Sequence, residues 1–90
     1  MKRESAEFVI VNRLGLHARA AAQLVQTANR FLSEVTITRD GQEVNGKSIM
    51  GLLMLAAPCG SIITVSVSGE DAEQALKAIG EMINDGFGED

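Results

Sequence analysis

In residues 62–68, IITVSVS, apolar and hydroxyl-bearing side chains alternate strictly from Ile63 to Ser68. In a strand, successive side chains point to opposite faces. Ile63, Val65 and Val67 therefore share one face, and Thr64, Ser66 and Ser68 the other. A sheet covered by helices on both sides needs strands that are apolar throughout, which this one is not. The chain must build a sheet with one face buried and one in water. Glu34–Arg39, EVTITR, repeats the pattern with Val35 and Ile37 set against Thr36 and Thr38. Asp40-Gly41 is a strong two-residue hairpin signal, so Gln42–Asn45 is expected to return as the next strand. Glu7–Asn12, EFVIVN, is apolar and β-branched and reads as a further strand.

Between these strands the apolar spacing changes to that of a helix. From Ala18 to about Leu32, residues Ala21, Leu24, Val25, Ala28, Phe31 and Leu32 recur at helical intervals. Ser48 opens a short apolar run, SIMGLLMLAA, that reads as a two-turn helix ended by Pro58 and Gly60. Ala72, Ala75, Leu76, Ile79, Met82 and Ile83 mark a last helix, with Glu70, Asp71 and Glu73 expected in its first turn. The final segment, NDGFGED, is polar and glycine-rich and is expected to fray. The fold class is α+β: order β-α-β-β-α-β-α, a mostly antiparallel four-stranded sheet, and helices on one face.

Ninety residues make one domain, spanning 1–90. With no Trp or Tyr and three Phe, aliphatic side chains must fill the core. No apolar run reaches the ~20 residues of a membrane span. The opening MKRESAEF lacks the apolar stretch of a secretory signal, and the lone Cys59 has no internal partner. A cytoplasmic chain that spans no membrane is expected. The net charge of −4 argues against nucleic acid as main partner. The charge is uneven: residues 1–48 carry +2 and residues 49–90 carry −6. Arg13, Arg19 and Lys47 flank His17 and Ser48 in sequence. This suits an anionic ligand or acidic partner, although ordinary surface scatter accounts for the asymmetry as well.

The only histidine stands in LGLHARAAA, residues 14–22, where the first helix starts. If His17 is the N-cap, the unpaired N–H groups of Ala18, Arg19 and Ala20 form an anion site. An imidazole at the positive end of a helix dipole is disfavoured as a cation, and neutral imidazole is a nucleophile. A phosphoryl group taken up there would meet backbone donors and the guanidinium fork of Arg19. Gly15 would let the chain turn and leave room for a donor, and the small alanines would keep the approach open. A plain solvent-exposed histidine at a helix start is the competing reading. A metal site lacks ligands, since one His and one Cys make no tetrahedral set. No Ser or Cys is placed for His17 to activate, and no cofactor is indicated.

LGLHARAAA resembles the active-site stretch of the HPr family, the histidine-containing phosphocarriers of the bacterial phosphoenolpyruvate-dependent phosphotransferase system, whose pattern is G-[LM]-H-[AT]-R-P-A. The element order, the DG hairpin, KSIMGLLML and the tail extend the resemblance over nearly the whole chain. It implies an open-faced β-sandwich and a stoichiometric relay intermediate rather than an enzyme. His17 would carry the phosphoryl group on Nδ1, accepting it from enzyme I and passing it to a histidine of an enzyme IIA, with Arg19 steadying it. Ser48 matches the family's regulatory serine, the target of an HPr kinase/phosphorylase, but is equally a normal helix N-cap. Ile49, Met50 and Leu53 would be exposed docking contacts on a monomer. Ala20 replaces the family's usual proline; it is expected to leave transfer intact while its N–H adds a donor. A small ACT-like module that binds a metabolite is the alternative, and it leaves the joint placement of His17, Arg19 and Ser48 unexplained.

Overall fold

The computed structural model describes residues 2–89. Strands β1 (Lys2–Val9), β2 (Glu34–Arg39), β3 (Gln42–Asn45) and β4 (Ile62–Gly69) form one sheet in the order β1-β4-β2-β3. All three pairings are antiparallel. The helices are α1 (Ala18–Ala28), α2 (Ile49–Met54) and α3 (Ala72–Asn84), followed by a short 3-10 turn over Gly86–Gly88. Val35, Ile37, Ile63, Val65 and Val67 form the buried face and meet Leu24, Leu52, Ile79 and Ile83 from the helices. The opposite face carries Ser5, Thr36, Thr64 and Ser66, with the Ser5 and Ser66 hydroxyls 3.2 Å apart. The alternation in IITVSVS thus dictates the one-sided architecture, as read from the sequence.

Four local expectations are corrected. The first strand lies over Lys2–Val9 rather than Glu7–Asn12, because its backbone pairs with β4 from Lys2↔Gly69 to Val9↔Ile62. As an edge strand with one open face it accommodates the polar KRESA stretch. Helix α1 stops at Ala28 rather than Leu32. The N–H groups of Leu32 and Ser33 turn instead to the Asp71 carboxylate, each at 2.9 Å, and Lys47 Nζ donates to the Phe31 carbonyl at 2.8 Å. Leu32, expected in the core, is consequently 86% exposed. Helix α2 ends earlier than its apolar run: Arg39 donates to the Leu55 carbonyl and Ala56 takes a positive φ of 48°. Of the three acids expected in the first turn of α3 only Glu73 is there, since Asp71 is the N-cap residue and spends its carboxylate on the α1–β2 connection.

The final segment does not fray as far as residue 89. Phe87, 3% exposed, plugs into the core from the 3-10 turn and brings Glu89 back over the start of α1. One aromatic side chain between two glycines anchors it, together with the bonds of Glu89 to Asn12 and His17.

The Asp71 clamp makes stability depend on pH. The Ser33 hydroxyl, then the N–H groups of Leu32 and Ser33, hold the Asp71 carboxyl below its ordinary range, against a smaller opposing effect of burial. A depressed folded pKa means that the unfolded chain binds the proton more tightly. The contribution is therefore complete above the ordinary carboxylate pKa of about 4 and is lost as pH falls through the folded value. Asp71→Asn should lower the melting temperature at neutral pH, and the gap from the native chain should close in acid. Thermal melts from neutral to strongly acidic buffer check this; a gap constant with pH contradicts it.

Candidate functional site

The loop between β1 and α1 is pinned before His17 is reached. Ile10 exchanges backbone hydrogen bonds with Gly60 and Ser61, and the Gly15 N–H donates to the Asn12 carbonyl at 3.1 Å. Gly15 has φ +72°, and a Cβ there would lie 2.6 Å from the Ala57 carbonyl oxygen. The Leu16 N–H donates to that same carbonyl at 2.9 Å. The missing side chain therefore allows close approach to Ala57 and Pro58; it leaves no room for a donor, contrary to the sequence reading.

His17 is the N-cap of α1, with extended backbone and its carbonyl accepting from the Ala21 N–H at 2.8 Å. Its Nδ1 accepts from the Arg19 N–H at a rather long 3.3 Å. Because Nδ1 accepts, the neutral ring carries its hydrogen on Nε2, which donates to Glu89 Oε2 at 2.6 Å. The ring is partly exposed, with 28% of its side-chain surface open. It lies in an open notch of about 210 Å³ lined by Arg13, Leu14, His17, Arg19 and Glu89. Two larger grooves, along β2–β3 and between β1 and α3, contain no histidine.

Of the three residues expected to supply backbone donors, Ala18 and Arg19 are exposed as residues and Ala20 is fully buried. The N–H that Ala20 retains in place of proline is thus closed to solvent, and with Ala21 it serves the core instead of widening the approach. Arg13 and Arg19 reach the notch; Lys47 does not, being committed to Phe31.

Two residues of the site escaped the sequence reading. Asn12, 1% exposed, donates through Nδ2 to the Gly15 carbonyl at 2.7 Å and to Glu89 Oε1 at 3.0 Å. Glu89 closes the circle from the other end of the described chain. The Asn12 amide foremost, with the His17 ring and Arg19 charge behind it, holds the Glu89 carboxyl below the usual glutamate range despite the opposing effect of burial. Asn12 could have been found as a polar residue ahead of a glycine turn. The signal for Glu89 was the Phe87 anchor.

Ser48 caps α2, its Oγ accepting from the Gly51 N–H at 3.0 Å. Helix α2 packs against α1 and buries Leu52 completely. Ile49, Met50 and Leu53 are exposed, as the resemblance implies, and so are Met54 at 65% on the same helix and Leu14 at 66% in the notch beside His17. Flexible methionines suit a surface that must fit more than one partner. No described helix is long and apolar enough to cross a membrane.

Comparison with known proteins places this geometry. A family model described as the PTS HPr component phosphorylation site matches residues 4–85. The phosphocarrier protein HPr of Xylella fastidiosa is 49% identical over 84 residues, covering 93% of this chain and 94% of its own length. That of Neisseria meningitidis serogroup A is 49% identical over 89 residues, covering 99% and 98%. Among solved structures, HPr-C-His from Thermoanaerobacter tengcongensis matches with a TM-score of 0.93 and 41% identity, covering 97% of this chain and 98% of that one. The ACT-like alternative is not supported. By these matches the chain belongs to the HPr family of the phosphotransferase system.

Proposed function

We propose that this phosphocarrier works by reversible phosphorylation of His17 Nδ1. The observation that carries the reading is the Nδ1 lone pair on a partly exposed ring at the start of α1, turned to the Arg19 N–H. Attack forms the N–P bond as the donor's bond to phosphorus breaks. The new phosphoryl oxygens then meet the Ala18 and Arg19 N–H groups, with Arg19 and Arg13 lining the same notch. The N–H of Ala20, which is fully buried, stays apart from them. Enzyme I is the expected donor and an enzyme IIA histidine the acceptor, in sugar uptake or regulation, with a cytoplasmic monomer shuttling between them. Ile49, Met50 and Leu53 supply the docking surface. The chain turns over no small molecule by itself; it is a stoichiometric intermediate. Incubation with phosphoenolpyruvate and enzyme I, followed by phosphorus NMR, should show an acid-labile phosphoramidate on His17. A chain that stays unlabelled sinks the reading.

Ser48 fits a second, regulatory modification by an HPr kinase/phosphorylase. Its hydroxyl already lies at a helix start, where negative charge is tolerated. A phosphate there adds anionic charge to a helix that packs on α1. Ser48→Asp should slow uptake from enzyme I about tenfold, through like-charge repulsion at the docking surface. Equal rates for the native chain and Ser48→Asp would remove the regulatory role and leave Ser48 a cap.

A further inference from the structure

We infer that Glu89 is a positioning residue that selects which imidazole nitrogen accepts the phosphoryl group, an inference resting on the carrier role proposed for His17. In a neutral imidazole only the nitrogen without hydrogen is nucleophilic. Glu89 Oε2 lies 2.6 Å from Nε2, so that nitrogen holds the hydrogen and is covered by an anion. Nδ1 is left with the ring's lone pair, engaged only by the long 3.3 Å bond from the Arg19 N–H. The carboxylate is held there by the fold. Its other oxygen accepts from Asn12, which is itself fixed to the Gly15 carbonyl. Phe87 anchors the turn behind it, and only 14% of the Glu89 side chain is exposed. The family match ends at residue 85, before this turn.

The same carboxylate acts during transfer. As Nδ1 bonds to phosphorus, the ring keeps its Nε2 hydrogen and becomes cationic, and the anion in contact with Nε2–H stabilises that charge. Repulsion of the incoming phosphoryl anion opposes this. The carboxylate touches the ring, however, while phosphorus binds at the other nitrogen, and Arg13 and Arg19 share the notch with it. The closer interaction is the larger, so the net effect on attack by Nδ1 is favourable. At Nε2 both effects block reaction.

Phosphoramidate tests this without a protein partner. In the reaction Nδ1 forms the N–P bond, the P–N bond of the zwitterionic reagent breaks, and its nitrogen leaves as ammonia with the electron pair. Phosphorus and nitrogen NMR distinguish the two phosphohistidine isomers. The native chain should yield the Nδ1 isomer alone. Glu89→Ala should yield the Nε2 isomer in at least equal amount. Glu89→Gln keeps an acceptor oxygen without the charge; it should retain the Nδ1 isomer but form it about tenfold more slowly. Melting curves check that both variants are folded, and Glu89→Gln decides alone if Glu89→Ala is not. A Glu89→Ala chain that makes only the Nδ1 isomer at the native rate overturns the inference. So does a native Nε2 product, with the carrier role intact. A native chain unlabelled at His17 under both phosphoramidate and enzyme I refutes the carrier role itself.

Discussion

Replacing His17 by Asn is expected to stop phosphoryl uptake while leaving the fold in place. Asparagine is among the best N-cap residues, and its side-chain oxygen can accept from the Arg19 N–H as Nδ1 does now. The helix start survives, with stability within about 1 kcal/mol of native. The nucleophile is gone, and no other side chain in the notch replaces it: Arg13 and Arg19 carry no lone pair for attack, Leu14 is inert, and Glu89 is bonded to Asn12. Labelling from phosphoenolpyruvate and enzyme I should fall by at least about 10³-fold. Acid-labile phosphate on the variant above one part in a thousand would mean that another group accepts it. Parallel circular dichroism melts separate loss of chemistry from loss of structure.

Gly15→Ala is expected to damage the same function through the backbone. At φ +72° a non-glycine residue costs about 1 kcal/mol or more. The added Cβ would also lie 2.6 Å from the Ala57 oxygen and 2.9 Å from the Pro58 Cα, so backbone must shift. Overpacking of this kind costs a further ~1–3 kcal/mol. The total, about 3 kcal/mol, corresponds to a fall of about 15 °C in melting temperature for a domain of this size. Because the displaced loop carries His17, uptake per folded molecule should also drop at least about tenfold. Gly60→Ala is the control: its φ is +94°, yet a Cβ there meets nothing within 4 Å. It should cost only the conformational part. Equal losses in the two variants would show that the contact with Ala57 is not the cause.

The sheet was legible because its pattern is local. Val35, Ile37, Ile63, Val65 and Val67 declare their face by alternation, and Asp40-Gly41 declares its hairpin. His17 and Arg19 were legible because a helix start declares itself in adjacent residues. Element ends were not, because distant groups decide them. Nothing near Leu32 tells that Asp71 will take its N–H, 39 residues later, and so end a helix that the apolar spacing continues. Lys47 looked like part of the positive site until its ammonium found the Phe31 carbonyl. Glu89 stands 72 residues from the ring it touches, a pairing created by burial of Phe87. The apolar helix α2 announced an exposed patch, since a six-residue helix cannot bury every side. Only tertiary packing showed that Leu52 faces inward and Met54 outward.

The open notch has a bearing on traffic. On the carrier role proposed for His17, supplier and recipient share one shallow mouth and visit in turn, each vacating before the next can land. Throughput is then limited by how quickly encounters dissolve. A small greasy footprint that clings weakly favours turnover better than a deep, tenacious socket.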